Sequence, residues 1–107
     1  MIYFIGAGPG AADLITVKGK ELLEKADLVI YAGSLVNPEL LKYCKPECTI
    51  MNSATMTLEE VIAAMVPAAQ AGQLVVRLHT GDPSVYGAHR EQIDLLRSYN
   101  LDYEVVP

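Results

Sequence analysis

Two glycine-containing segments of this chain have the residue types and spacing to hold a ligand. The first, Gly6-Ala7-Gly8-Pro9-Gly10-Ala11, follows a short apolar run at 1–5 and satisfies the pattern G-x-G-x-x-[G/A] through Gly6, Gly8 and Ala11. Such a turn lets the backbone approach a pyrophosphate and aims N–H groups at it. Two features argue against a dinucleotide. Pro9 removes one of the N–H donors. The acid that holds a ribose at the end of the second strand is missing: Ala32 and Gly33 follow Tyr31, and Asp27 precedes the strand. The plain alternative is a tight strand-to-helix turn with no ligand.

The second segment is Arg77-Leu78-His79-Thr80-Gly81-Asp82-Pro83-Ser84-Val85-Tyr86-Gly87. Gly81 permits a close backbone approach or a positive φ. Asp82 precedes a proline and is biased to an extended conformation. Its carboxylate can accept hydrogen bonds from a ligand hydroxyl or ammonium group, or from its own backbone in an ordinary turn. Two such turns at one sheet edge favour a ligand site more than either does alone. His79, at a strand end, and His89, in a helix near Arg90 and Glu91, read as structural. Tyr31 and Tyr86 stand where they can line a cleft, and Tyr31 fits a buried core equally well. Cys44 and Cys48 form a C-x3-C pair, the spacing of neither a redox C-x-x-C nor a zinc site, and read as reduced thiols.

The elements that must position these turns follow from periodicity. Apolar runs at 1–5, 28–31, 49–51, 74–78 and 103–106 read as strands, the first broken at Gly6 and the fourth ended by Thr80-Gly81-Asp82-Pro83. Between them, Ile15, Gly19, Leu22, Leu23 and Ala26 recur at helical spacing. Asn37-Pro38 introduces a short helix through 39–43. Thr57 and Glu60 form a capping box ahead of the apolar face Leu58, Val61, Ile62, Met65, Val66 and Ala69. Pro67 is expected to kink that helix or end it early, with Gly72 as the stop. Ser84 can cap a further helix running to about Ser98, with Asn100 as its stop. Lys18, Lys20, Glu21, Glu24 and Lys25 read as a solvated helix face. Alternating strands and helices predict an α/β fold: a three-layer αβα domain with a mostly parallel five-stranded sheet and right-handed crossovers. Ligands of such sheets bind beyond the carboxyl ends of the strands.

Size and charge narrow the function classes. The chain has 107 residues, 51% hydrophobic and 20% charged, with a net charge of −5. That suits one domain able to bury roughly 65% of its unfolded surface, and it excludes intrinsic disorder. Eight Lys and Arg against thirteen Asp and Glu argue against a nucleic-acid platform. No window approaches the roughly 18–20 apolar residues of a membrane span, and the run at 1–5 is too short for a signal-peptide core. The expectation is a cytoplasmic protein with no nucleic-acid or membrane partner. The end of the chain, just after a strand and a proline, reads as a domain edge.

With both turns in view, the sequence resembles the tetrapyrrole methylases. GAGPG followed by DLITVKG and ADLVIY is similar to the start of that family, and RLHTGDPSVYG to its second signature; the match runs in order over all 107 residues. Within the family, YAGSLV and HTGDPSVYGAHREQ resemble the branch that methylates C11 of precorrin-4 or cobalt-precorrin-4. Two departures separate it from the uroporphyrinogen-III methylases. Ala32 stands where those carry an Asp proton acceptor, and Met51-Asn52-Ser53 lacks their lysine near the end of strand three.

The resemblance implies two α/β domains with S-adenosylmethionine (SAM) in the cleft between them. It places Pro9, Thr80, Gly81 and Asp82 against SAM, Val85 at an apolar contact and Tyr86 beside it. This chain is then the N-terminal domain, inactive alone, of a protein that is a homodimer when full length. The implied reaction moves the sulfonium methyl of SAM to a ring carbon of a tetrapyrrole. Asp82 is expected to hydrogen-bond the cofactor; no catalytic acid or base and no protein-bound metal are assigned. The alternatives are another cobalamin-pathway methylase acting at a different carbon, a dinucleotide-binding oxidoreductase domain, and a non-catalytic sensing or assembly module.

Overall fold

The computed structural model of the chain describes residues 1–7, 15–31, 38–80 and 90–106. The β-branched and aliphatic runs become strands; the three inner ones, 2–7, 28–31 and 75–80, are covered on both faces and read as nearly continuous apolar stretches, while the edge strands 49–52 and 103–106 are largely half-buried or exposed. In chain order the elements are β1 (Ile2–Ala7), α1 (Val17–Lys25), β2 (Leu28–Tyr31), a 3-10 segment (Pro38–Tyr43), β3 (Thr49–Asn52), a 3-10 turn (Ser53–Thr55), α2 (Leu58–Gln70), β4 (Val75–Thr80), α3 (Arg90–Ser98) and β5 (Tyr103–Val106). The five strands form one sheet in the order β3-β2-β4-β1-β5, and every pairing is parallel.

Alternate strand residues feed two cores. Ile2, Phe4, Leu28, Ile30 and Val75 pack beneath Val61, Met65, Ile93 and Leu96 of α2 and α3. Ile5, Val29, Val76, Leu78 and Val106 pack beneath Leu23 of α1 and Leu40 of the 3-10 segment. The layers are therefore helix, sheet, helix. Helix α1 lies close to β1 because Gly19 has no side chain: a Cβ there would stand 3.1 Å from Ile5 Cγ2 and 3.0 Å from Ile15 Cγ1. Thr16 caps α1, its Oγ1 accepting from the Gly19 N–H at 3.1 Å. Lys18, Lys20, Glu21, Glu24 and Lys25 are all exposed, as their pattern requires.

Three boundaries depart from the sequence reading. Strand β1 does not break at Gly6, and β4 does not stop at Leu78. Each carries the other further, with Gly6 paired to His79 and Ala7 to Thr80; ladder hydrogen bonds hold residues that have little strand preference of their own. Helix α2 is not ended by Pro67 but runs on to Gln70. Pro67 and Ala63 are both exposed, so the carbonyl orphaned by the missing N–H has access to water.

Candidate functional site at the carboxyl edge of the sheet

Strand β1 is flanked by β4 on one side and β5 on the other. The chain leaves β1 toward β2, on the β4 side, and leaves β4 toward β5, on the far side of β1. Strand order thus reverses between β1 and β4, and their carboxyl ends border the crevice where open α/β sheets bind ligands. The register is in step there. Ala7 and Thr80, the last residues of β1 and β4, are partners. The two glycine-containing segments therefore start side by side. Of the residues expected to hold a ligand, Thr80 ends β4 within the sheet. Pro9, Gly81, Asp82, Val85 and Tyr86 lie outside the described residues, as does His89.

Beneath this edge sits a buried cation. Arg77 projects from β4 into the α2/α3 layer and is 5% exposed. Its Nε donates to Gln92 Oε1 at 3.3 Å, and its Nη1 donates to the Ile30 carbonyl at 3.2 Å. Among the described residues no carboxylate forms an ion pair with it. Burial pulls the guanidinium down to about 10, so it remains protonated at neutral pH. Close by, the Ser53 hydroxyl donates to the Tyr31 carbonyl at 3.1 Å, tying the last residue of β2 to the segment after β3. Asn52 Oδ1 accepts from the Ala54 N–H at 2.9 Å and caps the same turn.

The remaining candidates separate cleanly. His79 is buried on β4 opposite Gly6, consistent with a structural histidine. Tyr31 is half-buried and packs on the α1-side core. Asp27 stands at the amino edge, the opposite end of the sheet from the turns. There its carboxylate accepts from the Leu74 N–H and from Lys45 Nζ, each at 2.8 Å. Lys45 and the Leu74 amide hold its carboxyl below the ordinary value. An open groove of about 610 Å³ at this edge, lined by Asp27, Glu47, Thr49, Ala64, Pro67 and Gln73 among others, is likewise remote from the turns. Cys44 and Cys48 are free thiols. Burial, reinforced by Cys48, pushes Cys44 up to about 11, and burial raises Cys48 as well. Among the described residues no group of three or more His, Cys, Asp or Glu side chains can hold a metal ion.

Sequence reasoning assigned no individual role to Arg77, Gln92 or Ser53. A signal for the first two was present. Arg77 interrupts the apolar run Leu74-Val75-Val76-Arg77-Leu78, and Gln92 adjoins Ile93 on the buried face of α3. A charge inside a strand covered on both faces must be buried and must find acceptors.

The sequence profile described as Tetrapyrrole (Corrin/Porphyrin) Methylases matches residues 1–107. The chain belongs to the tetrapyrrole methylases. Among other members of the family, it is 58% identical over 106 residues to a cobalt-precorrin-4 C(11)-methyltransferase of Methanocaldococcus jannaschii, covering 99% of this chain and 41% of that protein. It is 50% identical to the protein of the same name from Priestia megaterium, again over 99% of this chain and 41% of the relative. The chain thus spans well under half the length of these curated tetrapyrrole methylases. Among solved structures, a cobalt precorrin-4 methyltransferase superposes with a TM-score of 0.93 at 50% identity, covering 99% of this chain and 44% of that one. A uroporphyrin-III C-methyl transferase from Thermus thermophilus, complexed with S-adenyl homocysteine, superposes with a TM-score of 0.79 at 34% identity, covering 99% and 43%.

Proposed function

We propose that this chain is the N-terminal, SAM-binding domain of a two-domain methyltransferase acting on C11 of precorrin-4 or cobalt-precorrin-4 in cobalamin biosynthesis. The observation that carries the reading is the pairing of Ala7 with Thr80, which starts both signature segments at one point of the switch crevice. The names of the precorrin-4 relatives and the S-adenyl homocysteine held by a structural neighbour support it.

The residues present fit SAM better than a dinucleotide. SAM carries no phosphate, so a turn that has lost an N–H at Pro9 forfeits nothing. Asp27, the acid nearest β2 in sequence, lies at the wrong edge for a ribose after β2. Bound SAM would supply an electrophilic methyl group on sulfonium. On this chain, Pro9, Thr80, Gly81 and Val85 would wall the site with Tyr86 beside them, and Asp82 would accept a hydrogen bond. Their task is to hold donor and acceptor in line, and alignment of that kind removes several kcal/mol of barrier. No residue is assigned a proton transfer.

Ala32 and the sequence Met51-Asn52-Ser53 favour the precorrin-4 branch over uroporphyrinogen. Asn52 caps the turn after β3 and Ser53 holds the Tyr31 carbonyl, so neither position offers a cation to an acidic ring. Tetrapyrrole substrates carry several carboxylates. With a net charge of −5 on this domain, the basic wall belongs to the second domain or to the other subunit of a homodimer. The protein is read as cytoplasmic.

Calorimetric titration of the full-length protein with SAM tests the cofactor assignment: saturable binding is expected, and none at millimolar SAM overturns it. Incubation with SAM and each form of precorrin-4, with the product read by NMR, tests the substrate. A single new methyl at C11 is expected. A methyl at another carbon transfers the assignment to a different corrin methylase.

A further inference from the structure

We infer that Arg77 is a positioning residue that ties the end of β2 and the start of α3 to β4 beside the ligand crevice, an inference that rests on the SAM-binding reading above. Three elements meet at its guanidinium. Arg77 itself lies on β4, three residues before Thr80. Nη1 holds the carbonyl of Ile30, the penultimate residue of β2, just ahead of 32–37. Nε holds the side chain of Gln92 in the first turn of α3, just past 81–89. The planar fork gives these bonds fixed directions from one rigid group.

The energetics make a purely stabilising role a poor account of this side chain. Both acceptors are neutral, and among the described residues no carboxylate offsets the cost of burying the charge. Apolar side chains of similar volume often serve a buried site at least as well in stability. What apolar packing cannot supply is direction. It would let the start of α3 shift against the paired ends of β2 and β4, whereas two hydrogen bonds from one guanidinium fix α3 to that ladder. Ser53 supports the same corner by holding the Tyr31 carbonyl.

The full-length protein carrying Arg77→Met together with Gln92→Leu separates positioning from packing. The double variant is expected to keep a melting temperature close to wild type. It should nevertheless bind SAM at least tenfold more weakly, and the amides of 28–31 and 90–96 should exchange at least tenfold faster. Recovery of both stability and wild-type SAM affinity overturns the inference. Should the double variant fail to fold, Arg77→Lys, which keeps the cation but not the fork, is read the same way. A loss of SAM affinity of threefold or more is then expected, and wild-type affinity overturns. If the unsubstituted protein does not bind SAM, the functional reading falls by itself. Amide exchange then decides Arg77: faster exchange supports positioning, and unchanged exchange ends it.

Discussion

Asp27 joins three strands at the amino edge. Its N–H donates to the Leu74 carbonyl at 2.8 Å, and its carbonyl accepts from the Thr49 N–H at 3.0 Å. Its carboxylate binds the Leu74 amide and Lys45. Because those partners lower its pKa in the folded state, the unfolded chain takes up protons first as the solution is acidified. The stabilisation is therefore complete above the ordinary carboxylate range, about pH 4, and is lost as pH falls through the lowered folded value. Asp27→Asn should be less stable than wild type at pH 7, and its stability should fall less steeply between pH 5 and 3. Urea titrations across that range check both slopes. Gly19 is a residue-scale test of packing. A larger side chain meets Ile5, which is fully buried and cannot yield, so Gly19→Leu should cost about 1–3 kcal/mol. The urea midpoint reads that loss.

The helices end as their sequences require. At the close of α2, the Gly72 N–H bonds the Ala69 carbonyl and the Gln73 N–H bonds the Ala68 carbonyl, with Gly72 at φ 82°. At the close of α3, Asn100 takes the same place at φ 58°, with its N–H on the Arg97 carbonyl and the Leu101 N–H on the Leu96 carbonyl. Both are Schellman motifs. A Cβ at Gly72 would touch nothing within 4 Å, so Gly72→Ala isolates the backbone cost. It should destabilise by about 1–2 kcal/mol, read as a lower melting temperature with unchanged circular dichroism. These stops were legible in the sequence, as was the Thr57–Glu60 capping box, because each depends on a few adjacent residues. Strand ends were not. Nothing local to Gly6-Ala7 or His79-Thr80 says they pair; each pair of residues is extended by a neighbour more than seventy positions away.

For the whole molecule, the sheet order supplies what the turns lack alone. With β1 and β4 adjacent and in register, two segments far apart in sequence start at one point beside the switch crevice. On the proposed reading that crevice is one wall of a cleft. The 107-residue chain by itself is then expected to bind SAM at least a hundredfold more weakly than the full-length protein and to show no turnover. Parallel calorimetric titrations of the two check this, and equal affinity would mean this domain holds the site unaided.

The residue order alone determined the α/β class, the sites of the strands, the Thr57 cap, the Gly72 and Asn100 stops and the two segments that carry the family signature, because periodicity and turn chemistry act over a few neighbouring residues. The tertiary structure decided which strands adjoin, how far each runs, and that Arg77 is buried where β2, β4 and α3 converge. Those outcomes depend on contacts between distant parts of the chain, where the pairing of β1 with β4 and the burial of a charge are settled by the sheet as a whole.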